Sequence, residues 1–126
     1  MIEKEDIKFR ENMKDRTKSF ALRIIRLYQA LPKTTEASII GKQLLRSGTS
    51  VAANYRSACR ARSNAEFHSK ISIVIEEADE TMFWLEILQE SGIIKPNLLK
   101  ELYQENEEII KIVTTARKNS KKDNNK

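Results

Sequence analysis

Residues that break helices or form turns are so sparse in this chain that it can reverse direction at only a few places. Among 126 residues there are three glycines and two prolines. The remainder leans towards Leu, Ile, Glu, Lys, Ala and Arg, residues that lose little side-chain freedom in a helix. Few, long helices follow, and an all-α fold in a single domain of ordinary size.

The stops divide the chain cleanly. Phe9, Met13, Phe20, Ile24, Leu27 and Leu31 recur at helical spacing and mark the stripe of a first helix over 5–31. Pro32 ends it by disfavouring helical geometry in the residue before it. A hydroxyl from Thr34 or Thr35 then caps a second helix over 35–61, with Glu36 in its first turn and Ile40, Leu44, Ser47, Val51, Asn54, Tyr55 and Ala58 on one face. Ser63-Asn64-Ala65-Glu66 is a capping box that opens a third helix over 64–91. Its stripe is Phe67, Ile71, Val74, Ile75, Ala78, Met82, Leu85 and Leu88, and Gly92 suits the left-handed residue past its end. Pro96 starts a fourth helix over 96–118, with Leu99, Leu102, Ile109, Val113 and Ala116 facing inward. Long helices on short loops fold back on one another as an antiparallel up-down-up-down four-helix bundle over residues 1–118. Residues 119–126 are polar and basic, and composition predicts a disordered tail.

The net charge of +5 says less than it first suggests. Most of it comes from the last ten residues, where Arg117, Lys118, Lys121, Lys122 and Lys126 stand against Asp123. Charged residues interrupt every apolar run well before the roughly 18 residues a membrane span needs. The single cysteine, Cys59, and a charged amino terminus without a signal-peptide core predict a cytoplasmic protein.

Two surfaces are singled out. On helix three, Ile73, Trp84 and Ile87 lie opposite the core stripe, clustered around Glu77 and Glu80. Apolar residues in one outward column predict a self-association interface; burial of a central helix on two sides within one subunit is the alternative. On helix two, Lys42, Arg46, Arg56 and Arg60, continued by Arg62, form a basic column. It reads equally as a track for the phosphate backbone of RNA or DNA, as a partner for the Glu77 and Glu80 column of a neighbouring subunit, or as solvated surface. Between its members, Ser47 to Asn54 is a run of small residues around Gly48, which predicts close approach by a facing helix or by Phe83 or Trp84. Asn54 is expected to bond across the core and set helix register.

Catalytic chemistry finds no foothold. A di-iron bundle needs Glu-x-x-His pairs, but His68 is the sole histidine and position 65 is Ala. Glu76, Glu77, Asp79 and Glu80 spread around a helix with no histidine companion, so no metal or cofactor is expected. Cys59 and His68 are too loosely related for a nucleophile and its base, and phosphate-cradling loops and nucleophile elbows are absent. The expectation is a non-enzymatic protein.

Leu31-Pro32, Gln43 with Leu45-Arg46, Ser50-Val51-Ala52-Ala53-Asn54, Glu66-Phe67 and the segment from Glu76-Glu77-Ala78-Asp79-Glu80-Thr81 to Trp84-Leu85 together resemble the four helix bundle protein family, also called the 23S rRNA intervening-sequence protein family. The resemblance covers about half the chain, from Leu31 to Ile94. It departs where many members continue the asparagine with Ile-Ala-Glu-Gly: here Asn54 is followed by Tyr55-Arg56-Ser57-Ala58, a basic variant. The resemblance implies a left-handed bundle assembling as a homopentameric ring. It also implies either nucleic-acid contact or service as a protein-interaction scaffold, for example as an accessory subunit to a reverse transcriptase with no nucleic-acid contact of its own.

Overall fold

The computed structural model describes residues 4–124. Four helices follow in order: α1 (Lys4–Ala30), α2 (Thr35–Cys59), α3 (Asn64–Glu90) and α4 (Pro96–Asn124). The stop signals act where expected. Thr34 is extended and its hydroxyl accepts from the Ala37 amide at 3.3 Å. Ser63 accepts from the Glu66 amide at 3.1 Å, while the Glu66 carboxylate turns to Arg62 at 3.4 Å, so only the hydroxyl half of the capping box forms. Gly92 takes φ 75°, the left-handed geometry that a side chain would strain.

Each helix lies beside the next, and α4 returns to α1 along the thinnest seam of the bundle. The core holds the expected stripes, with Phe20, Ile24, Leu44, Tyr55, Ile71, Leu85, Leu88, Leu99 and Ile109 almost wholly inaccessible. Phe9 does not join them: it is 43% exposed, because the start of α1 and the end of α4 diverge around a cleft. The thin seam is clamped further along by Arg16, which donates to both oxygens of Glu105 at 2.7 and 2.8 Å and approaches Glu108 at 3.3 Å.

Gly48 faces α1, not Phe83 or Trp84. A Cβ there would stand 3.0 Å from both Cγ atoms of Ile24, and one at Gly41 would meet Leu31 at 2.6 Å and Tyr28 at 2.9 Å. The two glycines thus set how closely α1 and α2 approach. Asn54 does not cross the core; its amide donates to the Ser50 carbonyl of its own helix at 2.9 Å. Polar crossing is done elsewhere. Thr81 donates to Ser47 between α3 and α2 at 2.9 Å, and fully buried Asn106 donates from α4 to the Ala78 carbonyl of α3 at 2.8 Å.

Helix α4 runs past the predicted stop at 118 as far as Asn124. No glycine or proline lies between to end it, and Ser120 is buried and donates to the Asn64 carbonyl at 3.5 Å, tying the end of α4 to the start of α3. Of the predicted tail, residues 125 and 126 lie outside the described residues.

Candidate nucleic-acid interface and assembly face

The two columns predicted from sequence meet within one chain. Arg46 reaches from α2 to Glu77 of α3 at 3.1 Å and also bonds Glu80, whose carboxylate accepts from the Trp84 indole at 3.0 Å. The Trp84 hydrogen bond, then the Arg46 bond, hold the Glu80 carboxyl below its usual range, and the bond to Glu80 raises the Arg46 guanidinium. These side chains are largely wet, so the cluster contributes about 0–1 kcal/mol per pair and mainly orients Trp84. Arg46 is thereby satisfied by its own subunit.

Around this cluster lies the apolar surface. Trp84 and Ile87 are half-buried against the bundle, and Ile73 is 38% exposed. Phe83, one of the side chains expected to approach the small-residue stretch of α2, is instead 50% exposed and packs edge-on against Trp84 at 4.9 Å. Helix α3 is covered by both α2 and α4, yet these side chains remain on its outer side. The signal for Phe83 was present, since at 100° per residue it falls opposite the core stripe.

The basic column is therefore interrupted. Lys42 stands exposed on one side of Arg46, and Arg56, Arg60 and Arg62 stand exposed at the far end of α2. Lys42, Arg56 and Arg60 form no ion pair among the described residues, and Arg62 meets only Glu66. The alternation of helices brings the end of α2 to the same end of the bundle as the second half of α4, which carries Lys111 near its middle and Arg117 and Lys118 further on. Lys121 and Lys122 continue that helix.

At this basic end, between the start of α1 and the end of α4, opens a cleft of about 550 Å³. Phe9, Arg10 and Asp6 line it from α1, Lys111, Ile112, Thr115, Ala116, Asn119 and Ser120 from α4, and Asn64 and Phe67 from α3, with Tyr55 of α2 completing the lining. The Arg10 guanidinium stacks 4.8 Å from the centre of the Phe67 ring. Tyr55 is 1% exposed, and its hydroxyl lies against the Cys59 thiol, a weak partner, with no well-formed hydrogen bond among the described residues. Burial first, and the neighbouring Cys59 second, push its phenol up, so it stays protonated and able to donate. Burial likewise pushes the Cys59 thiol up, away from the thiolate that a nucleophile or metal ligand requires. Sequence reasoning missed the cleft because it depends on the splay of two helix ends far apart in the chain.

Among the described residues no group of three His, Cys, Asp or Glu side chains is placed to hold a metal ion. No described helix is long and apolar enough to cross a membrane.

Comparison with known proteins gives two matches and one absence. No curated protein matches the chain. Among solved structures it is similar to a protein of unknown function from the S23 ribosomal protein family of Bacteroides thetaiotaomicron, at 37% identity and a TM-score of 0.81, covering 86% of this chain and 97% of that one. The family model for the 23S rRNA-intervening sequence protein matches residues 11–115, which include all but the outer turns of the bundle, and the chain belongs to that family.

Proposed function

We propose that the protein is a non-enzymatic, self-associating cytoplasmic bundle that binds RNA or DNA through its basic end, chiefly by phosphate contacts. The observation that carries this reading is that Arg56, Arg60 and Arg62 near the end of α2, and Lys111, Arg117 and Lys118 on the second half of the diagonally placed α4, lie towards one end of the bundle, where Glu66 is the only carboxylate in an ion pair with any of them among the described residues. Cations without local partners neutralise phosphates and release counterions, which gives sequence-tolerant, salt-sensitive binding. Lys42 and Arg46 drop to a minor role, Lys42 by distance from that end and Arg46 by its commitment to Glu77 and Glu80. The test is the salt dependence of binding to a single strand for wild type and for the double variant Arg56→Glu, Arg60→Glu. The variant should bind more weakly with a shallower slope, by roughly 0.7 for each phosphate no longer neutralised. Unchanged affinity and slope would remove the site assignment.

The exposed Phe83 and Ile73 beside Trp84 and Ile87 favour a second, compatible reading, in which this face joins subunits or holds a protein partner. Family resemblance makes a homopentameric ring the expected assembly. Light scattering after size exclusion should give an oligomer for wild type and smaller species for Trp84→Ala. A monomeric wild type would leave the face to another protein.

A further inference from the structure

We infer that the cleft at the basic end is a pocket for one unpaired nucleotide, its base lying against Phe9 and its phosphate facing Arg10 and Lys111. The inference rests on the nucleic-acid reading above and names what that end recognises.

Three features point the same way. The volume of about 550 Å³ falls in the range of small-ligand pockets. Phe9 leaves 43% of its surface exposed at the cleft, although the helical stripe would place it in the core. An aromatic face held open beside cations is the arrangement on which single-stranded bases stack. Tyr55, buried to 1% exposure, contributes a hydroxyl that has the weak Cys59 thiol beside it and no well-formed hydrogen bond among the described residues. A buried donor without a strong partner is destabilising, and a ligand atom that accepts from it recovers that loss on binding.

The polar lining decides which ligand fits. Asn64 and Thr115 line the same cleft as Phe9 and offer both donors and acceptors. An acyl chain would leave them unpaired, whereas the edge of a base presents matching groups. Arg10 stacks on Phe67 and makes no ion pair among the described residues, which leaves its N–H groups for a phosphate. Asp6, on the same lining, repels a phosphate placed next to it and accepts from a sugar hydroxyl or a base amino group. The nucleotide is either a free monophosphate or a residue of a single strand, and the two share this chemistry.

Calorimetric titration separates the outcomes, with adenosine monophosphate, a short oligoadenylate strand and the matching duplex as probes at one salt concentration. The single strand should bind roughly tenfold more tightly than the duplex, and Tyr55→Phe and Phe9→Ala should each weaken it by roughly tenfold without changing duplex binding. Tyr55→Phe removes only a hydroxyl that has no strong partner and should melt close to wild type. The exposed Phe9 provides a second variant that does not disturb the core. Monophosphate binding that depends on both residues identifies a free nucleotide as sufficient; binding of the strand alone identifies a strand residue. If strand and duplex bind alike and neither substitution matters, while Arg56→Glu, Arg60→Glu abolishes both, the cleft is not a nucleotide pocket and the proposed function survives. If the duplex alone binds wild type, the pocket falls and the proposed function survives; if strand, duplex and monophosphate all fail to bind, both readings fall.

Discussion

Replacing Gly48 by alanine sets two effects of similar size against each other, and the structure says which partner decides the balance. Alanine in a helix interior gains about 1 kcal/mol over glycine. The new Cβ, however, would stand 3.0 Å from both Cγ atoms of Ile24, which is fully buried on α1 and would have to shift by a few tenths of an ångström within the core. Overpacking of this kind costs about 1–3 kcal/mol, so the single variant should lose roughly 0–2 kcal/mol net. Ile24→Ala alone should cost about 2–5 kcal/mol through lost burial and the cavity it leaves. In the double variant both Cγ atoms are gone and the added methyl occupies part of the vacated space. The double loss should then fall short of the sum by roughly 1–2 kcal/mol. Urea unfolding followed by circular dichroism, with all four proteins at one concentration because assembly links stability to concentration, supplies the cycle. Additivity within about 0.5 kcal/mol, or a Gly48→Ala protein stabilised by the full helix-propensity gain, would show that α1 does not press on this position and refute the account of the small-residue stretch.

Two further outcomes follow from buried polar groups. Asn106 donates to the Ala78 carbonyl, but its own carbonyl oxygen is buried without a partner among the described residues; Asn106→Leu should therefore stay within about 1 kcal/mol of wild type, while Asn106→Asp should cost several-fold more. Denaturant melts of the two variants check this, and equal losses would contradict it. The hydrogen bonds from Arg16 hold the Glu105 carboxyl below its usual range, so the pair stabilises the fold above the ordinary carboxylate pKa and loses that contribution as pH falls through the depressed one. Glu105→Gln should cost about 1–2 kcal/mol at neutral pH, a figure reduced for partial exposure, and the gap from wild type should close on acidification. A gap of constant size from neutral to acid pH would show that the pair does not carry the linkage.

What the sequence alone determined is the part governed by local chemistry. Pro32, the hydroxyls of Thr34 and Ser63, Gly92 and Pro96 act on the backbone within a turn of themselves, so the breaks between helices could be read from neighbouring residues. The apolar stripes obey helical period alone, and burial of Ile24, Leu44, Ile71 and Leu99 followed from it. The same period places Asn106 between Leu102 and Ile109 on the α4 stripe, so its burial is legible from spacing although its side chain is polar. The tertiary structure decided everything that depends on how far apart two helices stand. It turned Gly48 towards Ile24, gave Arg46 to Glu77 and Glu80 of its own chain, and left Phe9 outside the core. The cleft around Tyr55 belongs to the same class, because its walls come from the start of α1 and the end of α4, and no periodicity within one helix records the splay between two.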